Sequence, residues 1–415
     1  MKNFRHARVW WLGFFVSVVA QPAAAITLQI DYTYDTSNFF GAGNPQGAAA
    51  GAQAKAALEA AASYYSAILT DSFTAIQTPA PIRSSVSNGV YTWEWHELFL
   101  NPTTGAQVSV SNPTIAANKY VIYAGATDLT GAIIGDGEVG GYGWSPTRTG
   151  SSTFSSAEVA QINATNVSFP ASIKTRGQTS GFAAWGGEVS FDNTARTWHF
   201  DHTTQPTSGQ TDFYSTALHE IGHAVGFGQY DGITDISPFQ SLVTATNQFI
   251  GTSAEAAHSF QPVPLATDLA HWAQGTTSVV YGTSIGQEVE MTPSILDGTR
   301  KLVTALDVAA LTDIGWTVAT PPGVNGDYNG NGVVDAADYV MWRDHLNQTY
   351  TLPNDTTPGT VTQADYNVWR SNFRASRSGS GASLYGGEVP EPSGFVLFLA
   401  CMAALPIRRR LGRGI

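Results

Sequence analysis

The sequence predicts an α+β fold in which a large domain, residues 26–318, precedes a small all-α module, residues 326–374. In the large domain, short apolar or alternating stretches typical of strands are interspersed with segments of helical periodicity. A proline- and glycine-containing linker, residues 319–325, separates the two parts. The module contains the helix start Ala-Asp-Tyr-x-x-Trp-Arg twice, which indicates two related halves.

The first half of the large domain combines strands with one alanine-rich helix. Leu58, Tyr65 and Ile68 are spaced to share one face of that helix. The predicted elements are a first strand at 26–35, the helix at 47–73, a buried strand at 118–126, and a β-hairpin formed by 186–192 and 196–201.

A second helix, residues 212–225, is predicted by its apolar face and by the glycines that follow it, Gly226 and Gly228. Residues 228–298 show little periodicity, and long irregular segments inside a domain are usually functional or held by metal. A final helix is predicted at 304–316, where Thr304 and Asp307 have the spacing of a capping box.

Composition disfavours nucleic acid as a partner and leaves no internal disulfide to cross-link the exported part. The formal net charge is −12, which disfavours nucleic acid as a ligand. The single cysteine, Cys401, lies near the C-terminus, so the exported part forms no internal disulfide. Metal ions are the remaining candidates for cross-linking the chain.

Both ends carry features of targeting segments. Residues 1–25 combine a basic start, an apolar stretch and small residues before Ala25, as a secretory signal peptide does; an uncleaved anchor is the alternative. A flexible spacer, 375–388, precedes residues 389–415, which contain Val-Pro-Glu-Pro, a short apolar run at 394–407 and three arginines.

This C-terminal pattern resembles the PEP-CTERM sorting signal of Gram-negative bacteria. The resemblance implies export through the inner membrane, transient anchoring by the apolar run, and processing by an exosortase-type enzyme. The expected location is therefore extracellular or at the cell surface. A plain tail anchor is the alternative, although the run is shorter than the ~20 residues of a bilayer span.

The predicted helix at 212–225 contains the pattern His-Glu-x-x-His. His219 and His223 lie one turn apart on the same face, so both imidazoles can reach one Zn2+. Glu220 is rotated by ~100° from His219 and lies beside that ion, where it can accept a proton from metal-bound water. These residues predict a catalytic zinc site.

A catalytic zinc site of this kind has three protein ligands, and the sequence leaves the third one open. Gln229 is a poor ligand because its amide is neutral and weakly basic. Asp231, His258 and His271 follow in the irregular segment, and each could reach the ion.

The stretch His-Glu-Ile-Gly-His-Ala-Val-Gly-Phe-Gly resembles the extended motif of metzincin metallopeptidases. Within that family the leishmanolysin-like group takes its third histidine from far downstream. The resemblance therefore implies His271 as third ligand, Met291 as the methionine of a turn beneath the metal, and Glu220 as general base. It also implies a twisted sheet whose edge strand, 186–192, pairs with an extended protein or peptide substrate.

The small module begins with a twelve-residue loop, 327–338, whose oxygen-bearing side chains have calcium-binding spacing. The predicted Ca2+ ligands are Asp327, Asn329, Asn331, the carbonyl of Val333, and Asp338. An Asx-rich turn without metal is the alternative.

This loop, with aspartate at its last position and the repeated helix start after it, resembles a dockerin type I module, which implies an EF-hand-like fold and a cohesin-like partner. The second loop retains Asn354 and Asp365 but has Thr356 and Pro358 between them. It is a degenerate copy for which tight calcium binding is not expected.

The sequence thus predicts a secreted zinc endopeptidase with a calcium-binding module. One alternative is a non-catalytic surface or matrix protein on the same scaffold. The other is a polysaccharide-degrading enzyme with a dockerin-like module, although no pair of carboxylates stands out for that chemistry.

Overall fold

The computed structural model describes residues 26–84, 89–150, 153–178, 185–194, 196–228, 237–283, 285–319, 323–330, 333–357 and 359–375. The predicted signal peptide and sorting segment lie outside these ranges, as does the spacer beyond residue 375. Among the described helices, none combines the length and apolar character needed to cross a membrane.

Helices and mixed sheets confirm the α+β class. The helices are α1 Ala48–Ile68, α2 Ser156–Thr175, α3 Phe213–Ala224, α4 Thr252–Ala257, α5 Ala305–Asp313, α6 Ala336–Asp344 and α7 Gln363–Asn372. The strands are β1 Thr27–Asp31, β2 Ile82–Arg83, β3 Val90–Leu100, β4 Gln107–Ser111, β5 Lys119–Thr127, β6 Gly135–Val139, β7 Gly141–Arg148, β8 Gly186–Asp192, β9 Trp198–His199, β10 Thr211–Asp212, β11 Gln248–Phe249, β12 Val263–Pro264, β13 Thr277–Val279, β14 Gly286–Glu288, β15 Thr349–Tyr350 and β16 Gly359–Thr360.

A four-stranded sheet in the order β1-β5-β8-β6 supports the large domain. Strands β1, β5 and β8 are parallel, whereas β6 is antiparallel to β8. The helices α1 and α3 share a core with one face of this sheet. Two buried hydroxyls fix α3 in place, since Tyr65 Oη donates to Leu218 O at 3.0 Å and Tyr120 Oη donates to Ala224 O at 2.6 Å.

The hairpin predicted for 186–192 and 196–201 is wrong. Strand β8 pairs with β5 and β6, while β9 pairs in parallel with β10. The Gln46 side chain takes the place of a second strand beside Trp198: it donates to the Trp198 carbonyl at 3.0 Å and accepts from its N–H at 2.8 Å. All seven residues of β8 are buried, as expected for an interior strand.

The expectation that 186–192 is the substrate-pairing edge strand is wrong for the same reason. Strand β8 has a neighbour on each side, so its backbone is already paired within the sheet. In the described part of the chain, the edge on this side is β6, Gly135–Val139.

A second sheet, which the sequence did not predict, is built around the long strand β3. This strand pairs with β2 and β4 along one side and with β7 along the other. Its buried face packs on α2 through a separate cluster that includes Trp95, Phe99, Phe169 and Trp185. Gly140 alone separates β6 from β7, so one continuous segment forms a border of both sheets.

The segment from 237 to 298 contains only short elements, in agreement with its weak periodicity. The helix α5 that follows ends earlier than predicted, at Asp313. Its predicted capping box is confirmed, because Thr304 Oγ1 accepts from Asp307 N and the Asp307 side chain accepts from Thr304 N.

The small module contains α6 and α7 and, in addition to the predicted all-α content, the two-stranded ribbon β15–β16. The two helices are linked reciprocally. Trp342 Nε1 donates to Thr362 O, and Trp369 Nε1 donates to Asp335 O, both at 2.7 Å. Each acceptor is the residue that caps the other helix, so the repeated sequence gives a repeated contact around one small core.

The face of the central sheet opposite α3 contains a buried carboxyl group whose pKa is strongly shifted. Burial, together with the nearby carboxylates of Glu138 and Asp136, raises the pKa of Glu188 to about 9. The N–H of Leu100 opposes this shift by hydrogen bonding to the carboxylate. Glu188 is 3% exposed, so the protonated form is favoured at neutral pH.

We expect Glu188→Gln to stabilise the protein increasingly as the pH rises. Between the unfolded pKa of about 4.3 and the folded value, the native state must retain a proton that the unfolded state releases. The stability of the native sequence therefore falls over this interval, by up to about 1.4 kcal/mol per pH unit, and glutamine removes this dependence. Thermal unfolding at pH 5 and pH 8 should show a larger Tm gain at pH 8.

The matched control is Glu59→Gln, which replaces a glutamate with a half-exposed side chain on α1. Solvent screening should keep its effect on Tm small at both pH values. A Tm difference between Glu188→Gln and the native protein that does not change with pH would contradict the proposed protonation of Glu188.

Candidate metal centre

The helix α3 begins and ends at well-defined residues. At its start the Asp212 carboxylate accepts from Ser215 N at 3.1 Å and forms a buried ion pair with Arg300 at 2.7 Å. At its end the N–H of Gly226 donates to His223 O at 2.8 Å, and Gly226 has a φ of +105°. Glycine adopts this conformation without strain, so the chain can turn away directly below the second histidine.

Three imidazoles meet beside this helix. The Nε2 atoms of His219, His223 and His271 form a triangle in which each side is 3.1 Å. Three nitrogens about 2.0–2.1 Å from one Zn2+ at near-tetrahedral angles lie roughly 3.3–3.4 Å apart, so the triangle closely fits such an ion. Among the histidines, cysteines and carboxylates of the described residues, these three histidines are the group whose ligand atoms lie close enough together to hold one metal ion.

The outer nitrogen of each imidazole faces an oxygen acceptor. The Nδ1 atoms of His219, His223 and His271 lie 3.1 Å from Glu290 O, 2.9 Å from Phe227 O and 3.0 Å from Asp268 Oδ2, respectively. Each contact favours the tautomer with hydrogen on Nδ1, so that the Nε2 lone pairs point at a common position. Three converging lone pairs repel one another unless a cation lies between them, and a metal such as zinc fits this arrangement.

The two helix histidines are held in the neutral form that binds metal. Burial, together with the neighbouring His271, lowers the pKa of His223 to about 3. Burial also lowers the pKa of His219 well below its usual value, with smaller effects from His223 and His271. Neutral imidazole keeps its Nε2 lone pair available at neutral pH.

His271 lies on a tight turn that the protein itself stabilises. Ala266 N donates to His271 O at 2.9 Å, and Ala270 N donates to Asp268 Oδ1 at 2.9 Å. Beneath this turn Gly228 is in close contact with the chain, because a methyl group at Gly228 would lie 2.1 Å from Ala270 O. The third imidazole is thus positioned by contacts on both sides of its turn.

Met291 lies beneath α3. A methyl group added at Gly222, between the two helix histidines, would lie 2.7 Å from the Met291 sulfur. Met291 is 1% exposed, and its carbonyl accepts from Trp272 N at 2.9 Å. The methionine therefore packs against the helix and is hydrogen-bonded to the residue after His271, while its role in a turn beneath the metal stays a prediction.

The buried carboxylate of Asp307 connects these segments. Its oxygens accept hydrogen bonds from Thr304 N and Oγ1, Trp272 Nε1, Glu290 N and Met291 N, at 2.7–3.3 Å. Burial raises the pKa of Asp307, and the donors from Thr304, Glu290 and Trp272 oppose that shift. One side chain of α5 thus binds both the methionine segment and the residue next to His271.

The imidazoles and Glu220 lie at the bottom of a cleft of about 400 Å³. One wall consists of residues 132–136, which lead into the edge strand β6, and the other of residues 292–295, which follow Met291. Burial raises the pKa of Glu220 well above its usual value, and the carboxylate of Asp136 raises it further. A carboxyl group is therefore present beside the three imidazoles, in the same cleft.

Of the other candidate ligands, only His258 lies within the described residues, and it is not part of this cluster. His258 follows α4, where its Nδ1 lies 3.2 Å from Gln261 O, and it is absent from the described metal-holding group. Gln229 and Asp231 lie outside the described residues. Asp268, the partner of His271, was not among the predicted site residues, although a carboxylate three residues before a histidine is a recognisable signal. Asp307 was predicted only as part of a helix cap.

The predicted calcium loop is only partly described, since Asn331 lies outside the described residues. Asp327 and Asp338 are fully buried, and Val333 is 8% exposed. The carboxylate of Asp338 accepts from Asn329 N at 2.9 Å and from Asp335 N at 2.8 Å. These bonds fold the loop onto the first turn of α6, while calcium binding stays a prediction.

Comparisons with known proteins identify no relative: no family model, no curated protein and no solved structure matches the chain. The family resemblances therefore rest on the motifs quoted above. The three-histidine cluster rests on the geometry of its own side chains.

We expect His271→Ala to abolish stable metal binding. The two histidines of α3 would remain, and a two-ligand site should lose more affinity than the about 10–100-fold that loss of an outer hydrogen-bond partner causes. Zinc content after dialysis, and zinc affinity measured against a competing chelator, report the change.

The matched control is His258→Ala, which removes an imidazole of the same irregular segment that is not in the cluster. It should leave both zinc content and zinc affinity unchanged. Stoichiometric, tightly held zinc in His271→Ala would show that His271 is not a ligand.

Proposed function

We propose that the chain is a secreted zinc-dependent endopeptidase of metzincin type. The observation that carries this proposal is the position of Glu220, a buried carboxylate in the same cleft as three converging imidazoles. A zinc site that only stabilises a fold is closed and has no use for a general base, whereas a hydrolytic site has three ligands, a base and an open side.

In this proposal the three histidines bind the metal, and Glu220 transfers a proton. His219, His223 and His271 hold zinc, which when bound supplies a Lewis acid that polarises the scissile carbonyl and acidifies a water molecule. Glu220 would accept a proton from the attacking water and later donate it to the leaving amine. Burial raises the pKa of this carboxyl, and a bound cation would oppose that shift by favouring the ionised form that accepts the proton.

The edge strand beside the cleft suits a polypeptide substrate in extended conformation. Strand β6 borders the cleft at Gly135 and Asp136 and is the edge of the central sheet among the described strands. A substrate in extended conformation can add to the start of this strand, at Gly135 and Asp136, through backbone hydrogen bonds, which gives affinity with little dependence on sequence. This role, expected from the sequence for 186–192, is now proposed for β6.

Export, processing and partners complete the proposal. The terminal segments would direct the protein through the inner membrane, hold it there transiently by its C-terminal run, and present it to an exosortase-type enzyme. The module at 326–374 would be stabilised by Ca2+ bound to its first loop and would offer a surface for a cohesin-like partner. These statements are supported by the sequence patterns alone.

We expect Glu220→Gln to retain zinc and to lose peptidase activity. Glutamine keeps the shape of the side chain but cannot accept the proton, and general acid–base catalysis contributes about 10²–10⁴-fold. Zinc content and the rate of casein hydrolysis, measured on the same full-chain preparation, check both parts of this expectation.

Glu59→Gln, on the exposed face of α1, is the control and should retain full activity. Near-normal casein hydrolysis by Glu220→Gln would overturn the assignment of the base. Absence of hydrolysis in the zinc-loaded native protein would favour the non-catalytic alternative, and release of sugar from polysaccharide would favour the glycan-degrading one.

A further inference from the structure

The strand β6 is in unusually close contact with α3. Gly135 pairs with Phe191 and Gly137 with Val189, and both of these β8 side chains lie in the core shared with α3. Residues directly opposite in a sheet share a face, so Gly135 and Gly137 both face the helix. Strand and helix approach each other across these two glycines.

The two glycines make room for different parts of one residue. A methyl group at Gly137 would lie 2.2 Å from the backbone oxygen of Glu220, so this glycine sets the distance between strand and helix. A methyl group at Gly135 would lie 2.3 Å from Glu220 Oε1 and 2.7 Å from both its Cδ and its Cγ. Its three nearest atoms all belong to the Glu220 side chain.

We propose that Gly135 is a positioning residue for Glu220. The space that any side chain at position 135 would occupy is filled by the Glu220 carboxyl, and Gly135 thereby holds that carboxyl at the bottom of the cleft. This inference rests on the proposed function in taking Glu220 as the general base. It also places the proposed substrate-pairing edge beside the base, because Gly135 and Asp136 line the same cleft as Glu220.

The contact itself is tested by thermal unfolding of four full-length proteins: the native chain, Gly135→Ala, Glu220→Ala and the double variant. Gly135→Ala should lower Tm by about 2–8 °C in the native background, because overpacking forces neighbouring atoms apart. In the Glu220→Ala background the obstructing atoms are gone, and the loss should nearly vanish. The intrinsic difference between alanine and glycine cancels in this comparison.

Gly141→Ala is the matched control. A methyl group there would lie at ordinary contact distances from Leu98, 3.6 and 3.7 Å. Its effect on Tm should be the same in both backgrounds. Equal Tm losses from Gly135→Ala with and without the Glu220 side chain would overturn the proposal. If Gly135→Ala alone fails to fold, recovery of folding in the double variant supports it, and failure of both overturns it.

Activity gives a second, independent readout. Gly135→Ala should retain zinc and lower kcat by at least about tenfold with little change in KM, since displacing a catalytic group by an ångström can cost about 10²-fold. Combined with Glu220→Gln, it should cause no further loss, because it acts through that side chain. If the variant that combines Gly135→Ala with Glu220→Gln has a clearly lower kcat than Glu220→Gln alone, the positioning role is contradicted. A second outcome separates this proposal from the proposed function. If the Tm loss of Gly135→Ala depends on the Glu220 side chain but the native chain has no peptidase activity, the contact is supported and the proposed function is rejected.

Discussion

The metal centre depends on one buried carboxylate. Asp307 belongs to α5, far from the histidines in sequence, yet it accepts hydrogen bonds from Trp272 and from the backbone of Glu290 and Met291. Trp272 follows His271 directly, and the Glu290 carbonyl accepts from His219. Removing a buried acceptor of this kind leaves several donors without partners, each at a free-energy cost of about 1–3 kcal/mol. The positions of two imidazoles are therefore coupled to the cap of a distant helix.

The protein's own contacts orient the three imidazoles. Oxygen acceptors bond their outer nitrogens, burial keeps the two helix histidines neutral, and a hydrogen-bonded turn positions His271. Such contacts reduce the part of a metal's binding free energy that is spent on ordering its ligands. The same rigid frame places the Glu220 carboxyl, through the absence of a side chain at Gly135.

Local patterns in the sequence were sufficient for the parts of the site that lie within a few residues of one another. The spacing of His219, Glu220 and His223 is set by one helix turn, and the Thr304 cap by three residues. The strand pairings could not be deduced in this way. Whether 186–192 is an edge or an interior strand depends on the pairing of β6, which comes from about fifty residues earlier in the chain. Strand β3 alternates between buried and half-buried residues, a strand signal that was overlooked, whereas β7 shows no alternation and no buried residue. The prediction that His271 lies near His219 and His223 came from a family resemblance and not from the residues that flank His271.

The three imidazoles converge on one position, where we expect a single metal ion. Anomalous diffraction on either side of the zinc absorption edge, from crystals of the full chain grown with one equivalent of zinc, locates that ion. We expect one dominant anomalous peak about 2.0–2.1 Å from the Nε2 atoms of His219, His223 and His271, with an open side toward Glu220. A dominant peak elsewhere, or one at α3 from which His271 is absent, would contradict it.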